Sequence, residues 1–340
     1  MKAVEGISIR GIAAAVPRRA SRTQDYEVLT ENERERFAAT TGISERRIVE
    51  PGQCTSDLCG HAADKLLASL GWERDSVDLL ILVTQTPDYP TPATAILLQH
   101  RLGLPTSTLA FDVNLGCSCY PYALLIGSSI LQTAGLKRAL ILAGDVSSRT
   151  CQYEDRSTWP LFGDAGSATA IEVDESADPM HFDLHSDGSG GDVIIIPGGG
   201  AASRNPECAD PYLRMRGTDV FGFAISQAPK SIRSALDAAG WHIDDIDHVV
   251  LHQSNRMINE TIRKKVGYPA EKAPSTLEQY GNTSSASVPL TLCATAGAWE
   301  FPAKTVLCGF GVGLSWGTAT LTLAPGTRFE WVETDETYRA

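Results

Sequence analysis

The chain has few cysteines, no excess of positive charge, and no apolar run near the ~20 residues that cross a bilayer. Each absence removes a class of function. Without a spanning run, a membrane role is not expected. The opening "MKAVEGISIRGIAAAVP" has one Lys and an early Glu, then a short small-residue run broken at Pro17, unlike a secretory leader. Eight cysteines in 340 residues are too sparse for a disulfide scaffold, and no paired CxxC offers a zinc ribbon or a thioredoxin motif. These features predict a cytoplasmic protein with reduced thiols. A formal charge of −12 argues against a nucleic-acid surface, which needs a basic stripe.

What is present is an ordinary globular composition, 43% apolar and 21% charged, with an internal echo. "GWERDSVDLLILVTQ" from Gly71 and "GWHIDDIDHVVLHQ" from Gly240 share Gly-Trp, a spaced Asp-x-Val/Ile-Asp and a β-rich run. Each follows a helix-like stretch. "GSATAIEV" from Gly166 and "GTATLTLA" from Gly317 repeat the pattern in the same order. Such duplication predicts two equivalent halves about a pseudo-twofold axis, residues 1–172 and 173–340. The runs at 79–84, 138–145, 248–253 and 304–310 read as strands, some apolar on both faces, alternating with helices. The fold class is therefore layered α/β. Val173 to Asp210, acidic and glycine-rich, reads as a connector between the halves.

Three positions carry possible chemistry. Cys117 sits in "AFDVNLGCSCYPYALLIG", where a strand turns into a helix. A lone cysteine there is more often packing. Against that, Gly116 permits a tight turn, Pro121 suits a first helical turn, and a helix N-terminus acidifies a thiol. His252 closes the strand in "VVLHQSNRMINETIRKKVG", ahead of an amphipathic helix; strand ends in α/β sheets gather sites, and neutral imidazole donates well to an oxyanion. Asn282 in "YGNTSSASVPL" suits an Asx turn, and its amide is also a donor. Cys119 reads as packing. His181, Asp183 and His185 share one face of a possible strand, more simply a polar solvent face than a metal site. The glycines at 309–313 precede an alternating strand rather than the helix a dinucleotide fingerprint needs.

"DVNLGCSCY", "HQSNRM", "YGNTSSASVP" and "GFGVGLSWG", with "TGISERRI", "FGDAGSA" and "HSDGSGGDVIIIPGGG", resemble β-ketoacyl-acyl carrier protein synthase III of the thiolase superfamily in order and spacing. The resemblance spans nearly the whole chain. It implies a five-layer αβαβα fold with two duplicated halves, and a homodimer. It also implies that Cys117 takes an acyl group from a thioester, and that His252 and Asn282 bind a malonyl thioester carbonyl. The reaction implied is a decarboxylative Claisen condensation, whose oxyanion is held by the backbone N–H groups of Cys117 and Val312. No metal or other cofactor is needed.

Arg156, Phe221 and Asn255 match thioester-arm contacts of the family. Arg256 stands one place before the position where the family often has Arg, which here is Met257. The basic group Arg263, Lys264 and Lys265 is a candidate docking patch for an acidic acyl carrier protein, a charged helix face being the simpler reading. Where the family carries Trp and Arg against coenzyme A, this chain has Arg36 and Thr40, so carrier protein and acyl-coenzyme A both stand as acyl donors. Thr91 replaces an aromatic at the tunnel end, predicting a wider pocket. The alternative activity is acyl transfer from Cys117 to a hydroxyl or amine; retention of both His252 and Asn282 favours carbon–carbon bond formation. A synthase of the hydroxymethylglutaryl type would need a Glu base near Thr84–Ala95, where none stands, and a non-catalytic subunit would lack the cysteine.

Overall fold

A computed structural model describes residues 2–205 and 209–338, with Arg204 described by its backbone alone. Two sheets carry the architecture. One runs in the order β15 (Arg328–Glu333), β2 (Ile7–Val16), β8 (Ala165–Val173), β7 (Arg138–Asp145), β5 (Leu79–Val83), β6 (Leu109–Val113). The other runs β1 (Lys2–Val4), β9 (Met180–Ser186), β14 (Ser315–Leu323), β13 (Ala303–Gly311), β12 (His248–Leu251). Two small two-stranded antiparallel sheets, β3 (Ala20–Arg22) with β4 (Glu45–Arg47) and β10 (Ile194–Ile195) with β11 (Arg214–Met215), lie outside them.

The echo in the sequence is an echo in space. β5 pairs parallel to β7, β7 antiparallel to β8, and β8 antiparallel to β2. β12, β13, β14 and β9 repeat that order and sense. Both Gly-Trp pairs follow a helix that ends in a left-handed glycine. Gly71 (φ 63°) ends α2 (Thr55–Leu70) and Gly240 (φ 66°) ends α5 (Gly217–Ala239). That conformation is cheap for glycine and costly for a residue with Cβ.

The terminal strands break the sequence division. β1 pairs with β9 and β15 with β2, so each sheet closes with a strand from the other end of the chain. Val173 to Asp210 is also more than a connector. It holds β9, an inner strand whose "MHFDLHS" buries Met180, Phe182 and Asp183 within otherwise acidic surroundings.

Layering follows from β5, which is buried along its whole length. Leu79, Ile81 and Val83 pack toward Ala123 and Leu124 of α4 (Cys119–Ala134). Leu80 and Leu82 face Leu58 and Leu66 of α2. α4 and α8 (Ser287–Thr295) touch both sheets and form the central layer. α2 and α3 (Thr94–Arg101) cover one outer face, and α5 with α6 (Arg256–Val266) the other. α1 (Glu31–Thr41) leans on α6, and the short α7 (Leu277–Tyr280) on β4. The result is the five-layer αβαβα thiolase-like fold.

Candidate active site

Cys117 occupies the turn between β6 and α4, just ahead of the first residue of that helix. The turn lies against the end of β13, and only glycine fits there. A Cβ at Gly309 would come within 2.7 Å of the Cys117 carbonyl oxygen, and one at Gly311 within 2.7 Å of the Cys117 Cβ. The Ser284 hydroxyl and the main-chain N–H groups of Val312 and Cys117 approach the sulfur and favour its thiolate. Burial and then the nearby Asp145 carboxylate outweigh them, and the thiol is pushed up to about 11. This corrects the expectation of an acidified thiol: helix N–H groups are opposed by desolvation and by a carboxylate the sequence did not flag. At neutral pH the group is a thiol.

That carboxylate is a hub. Asp145 ends β7, 1% exposed, and accepts from the Gln85 N–H (2.7 Å), the Thr84 and Thr86 hydroxyls (3.0 and 3.2 Å) and, on its other oxygen, the Ser285 N–H (3.1 Å). It ties the end of β5 to the loop that carries Asn282. An acidic residue closing the apolar run "RALILAGD" was the sequence signal for it.

His252 follows β12 directly and is buried. Its N–H donates to the Cys308 carbonyl (2.7 Å), its carbonyl accepts from Asn259 Nδ2 (3.1 Å), and the next N–H, of Gln253, donates to Ser287 Oγ on α8 (2.6 Å). The backbone is thus held from three sides. The ring packs edge-on to Phe310 at 5.6 Å and has no hydrogen-bond partner among the described residues. Burial pushes its pKa down to about 3, so the imidazole is neutral.

Asn282 forms the Asx turn its sequence position suggested. Its main chain bonds Leu161 and Gly163, each at 3.0 Å, while Oδ1 accepts from the Ser284 N–H at 3.0 Å. This Asx turn uses the oxygen and leaves Nδ2 as a donor. Ser284, forced to φ 49°, is the strained partner of the turn. Sequence reasoning passed over it although it stands inside "YGNTSS".

Cys117, His252, Asn282, Asn255 and Val312 line one cavity of about 790 Å3, counting its open mouth. Its wall is largely apolar, with Ile194, Met215, Val220 and Ile258 among the lining side chains. Asn255 caps α6, its Oδ1 accepting from the Ile258 N–H at 2.9 Å. The other candidates lie away from this wall. Phe221 packs among the residues between α5 and β12. Arg156 is half-exposed and ion-paired to Glu33 of α1. Arg256 is exposed and rests against Gly42. Lys264 and Lys265 are exposed on the last turn of α6, Lys265 donating to the Ile225 carbonyl (3.0 Å). Arg263 is committed to Glu260 and the Tyr268 carbonyl. Arg36 and Thr40 are exposed on α1. On β9, His185 bonds Asp183 at 3.0 Å and stacks on Trp316.

The family models of 3-oxoacyl-[acyl-carrier-protein (ACP)] synthase III match residues 111–188 and, for its C-terminal part, 236–323. A β-ketoacyl-[acyl-carrier-protein] synthase III of Rhodopirellula baltica is 37% identical over 93% of this chain and 98% of its own length. The crystal structure of a 3-oxoacyl-(acyl-carrier protein) synthase from Burkholderia xenovorans superposes with a TM-score of 0.93, at 38% identity and 98% coverage of both chains. A priming β-ketosynthase from a polyketide biosynthetic pathway gives 0.87 at 27% identity, covering 94% of this chain and 97% of that one. The chain carrying this cysteine, histidine and asparagine around one cavity belongs to the β-ketoacyl-[acyl-carrier-protein] synthase III family, and is a condensing enzyme of that type.

Proposed function

We propose that this enzyme moves an acyl group from a thioester onto Cys117 and joins it to a malonyl thioester with loss of CO2. In the first half-reaction the sulfur attacks the thioester carbonyl, its proton passes to the departing thiol, and the Cys117 and Val312 N–H groups hold the tetrahedral oxyanion. In the second, malonyl decarboxylation leaves an enolate whose oxygen accepts from the His252 ring N–H and Asn282 Nδ2. The enolate carbon then attacks the acyl-Cys117 carbonyl and releases the sulfur.

The observation that carries this reading is a neutral imidazole and a carboxamide nitrogen left without a partner among the described residues, both facing the same cavity as the sulfur. Two uncharged donors suit an enolate. Acyl transfer to a hydroxyl or amine needs a general base, and an imidazole with its pKa near 3 is a poor one.

Malonyl-ACP is the proposed extender, in fatty acid or specialised acyl metabolite synthesis. Arg156, engaged by Glu33, and the exposed Arg36 and Thr40 form no aromatic platform for a nucleotide, which supports a carrier-borne acyl donor over acyl-coenzyme A. Lys264, free on α6, and Lys265 would meet the acidic carrier, and Asn255 would contact its pantetheine arm. β6 is an unpaired sheet edge flanked by exposed Leu109, Ile96 and Tyr89, which supports a homodimer through that edge. No described helix is long and apolar enough to cross a membrane, and the proposed setting is the cytoplasm.

The test is to load the enzyme with an acyl thioester, add malonyl-ACP, and measure CO2 and the product mass. One CO2 per β-ketoacyl thioester supports the reading. Acyl esters or amides without CO2 would overturn it.

A further inference from the structure

Gln85 follows β5, and its side chain reaches into the cavity beside Cys117. A Cβ on Gly116 would overlap Gln85 Oε1 and lie 2.9 Å from Val312 Cγ1. The carboxamide therefore rests on the residue before the nucleophile, next to the loop of the proposed oxyanion hole. Its backbone is fixed, since the Gln85 N–H donates to Asp145 Oδ1 at 2.7 Å. Its carboxamide makes no hydrogen bond to any described residue. Neighbouring polar side chains on this wall are already engaged: Asp145 by four donors, Thr86 by Asp145 and the Val146 N–H.

When an acyl chain fills an apolar cavity, water leaves. A simple alkyl chain would strip the carboxamide of its solvent and return nothing. A chain bearing oxygen near its thioester end would replace that water, with Nε2 donating to the oxygen and Oε1 accepting from a hydroxyl. Gln85 is neutral, so a hydroxyl or keto group fits better than a carboxylate.

We infer that Gln85 is a specificity-determining residue, selecting acyl groups that carry a hydroxyl or keto oxygen close to the thioester. The inference rests on Cys117 being the acylated residue.

The experiment compares loading of the intact enzyme by pantetheine thioesters, read by mass spectrometry over time, using matched alkanoyl and β-hydroxyalkanoyl pairs from butyryl to octanoyl. Wild type is expected to load the hydroxylated member roughly tenfold faster, the scale of one hydrogen bond. Gln85→Met, similar in length and apolar, should erase that preference, alkanoyl loading rising because no carboxamide is left to desolvate and β-hydroxyalkanoyl loading falling toward the same rate. Gln85→Leu repeats the test should the first variant fail to fold. Equal loading of the pair by wild type, or a preference that survives in the variants, overturns the inference. Failure of every donor to load would overturn the nucleophile assignment itself, a separately visible result.

Discussion

Gly311 presses so closely on Cys117 that a Cβ at the glycine would lie 2.7 Å from the cysteine Cβ and 3.1 Å from its sulfur. The end of β13 thereby acts as a template for the turn that carries Cys117. Gly311→Ala must displace either the strand end, with the Val312 N–H that follows it, or the sulfur. Acylation should slow by about a hundredfold, in the range of losing one oxyanion donor, while the protein stays folded. Stopped-time mass spectrometry and thermal unfolding would separate the two. An Ala variant that loads at the wild-type rate would show that the contact does not position the sulfur.

A thiol held near 11 gives a definite pH signature. Below that value the thiolate fraction grows about tenfold per pH unit, so alkylation of Cys117 by iodoacetamide should climb with unit slope from roughly pH 6 to 9. A plateau beginning below neutral pH would instead reveal a thiolate–imidazolium pair.

His252 makes the complementary statement about stability. Its folded pKa is depressed from 6.5 to about 3, so between those values the unfolded chain binds a proton that the folded protein refuses. The contribution is complete above 6.5 and is lost as pH falls toward 3. Denaturant midpoints measured across that window should drop more steeply for wild type than for His252→Gln. Parallel curves would contradict the buried neutral imidazole.

Asn282→Asp keeps the oxygen that accepts from the Ser284 N–H and removes the donor face. Acyl loading of Cys117 should persist, and malonyl decarboxylation should fall by at least about a hundredfold. Malonyl decarboxylation at the wild-type rate in this variant would remove Asn282 Nδ2 from the enolate.

Lys264 and Lys265 stand exposed on α6. Reversing both to Glu should raise KM for carrier-bound substrate roughly tenfold at low salt and hardly change it for a pantetheine thioester. Equal effects on both substrates would remove the docking role.

The strand runs and the Gly-Trp echo were legible because burial on both faces writes itself into consecutive residues, and helix–glycine–strand order is local. Cys117, His252 and Asn282 were legible as corner residues at strand and helix ends. The pairing of β1 with β9 and β15 with β2 was not: a short edge strand has no local mark of its distant partner. β9 was legible as a possible strand at 181–185, but its place inside the second sheet was masked by the acidic, glycine-rich stretch around it. The raised Cys117 thiol escaped for the same reason as the Asp145 hub. Both depend on what tertiary packing brings beside a group, which spacing along the chain does not encode.

The most direct measurement is peptide mapping after incubation with an acyl thioester. The account requires the acyl mass on the peptide containing Cys117, its absence from Cys117→Ala, and its discharge on adding malonyl thioester. An acyl group found on another residue, or retained by the Ala variant, would contradict it.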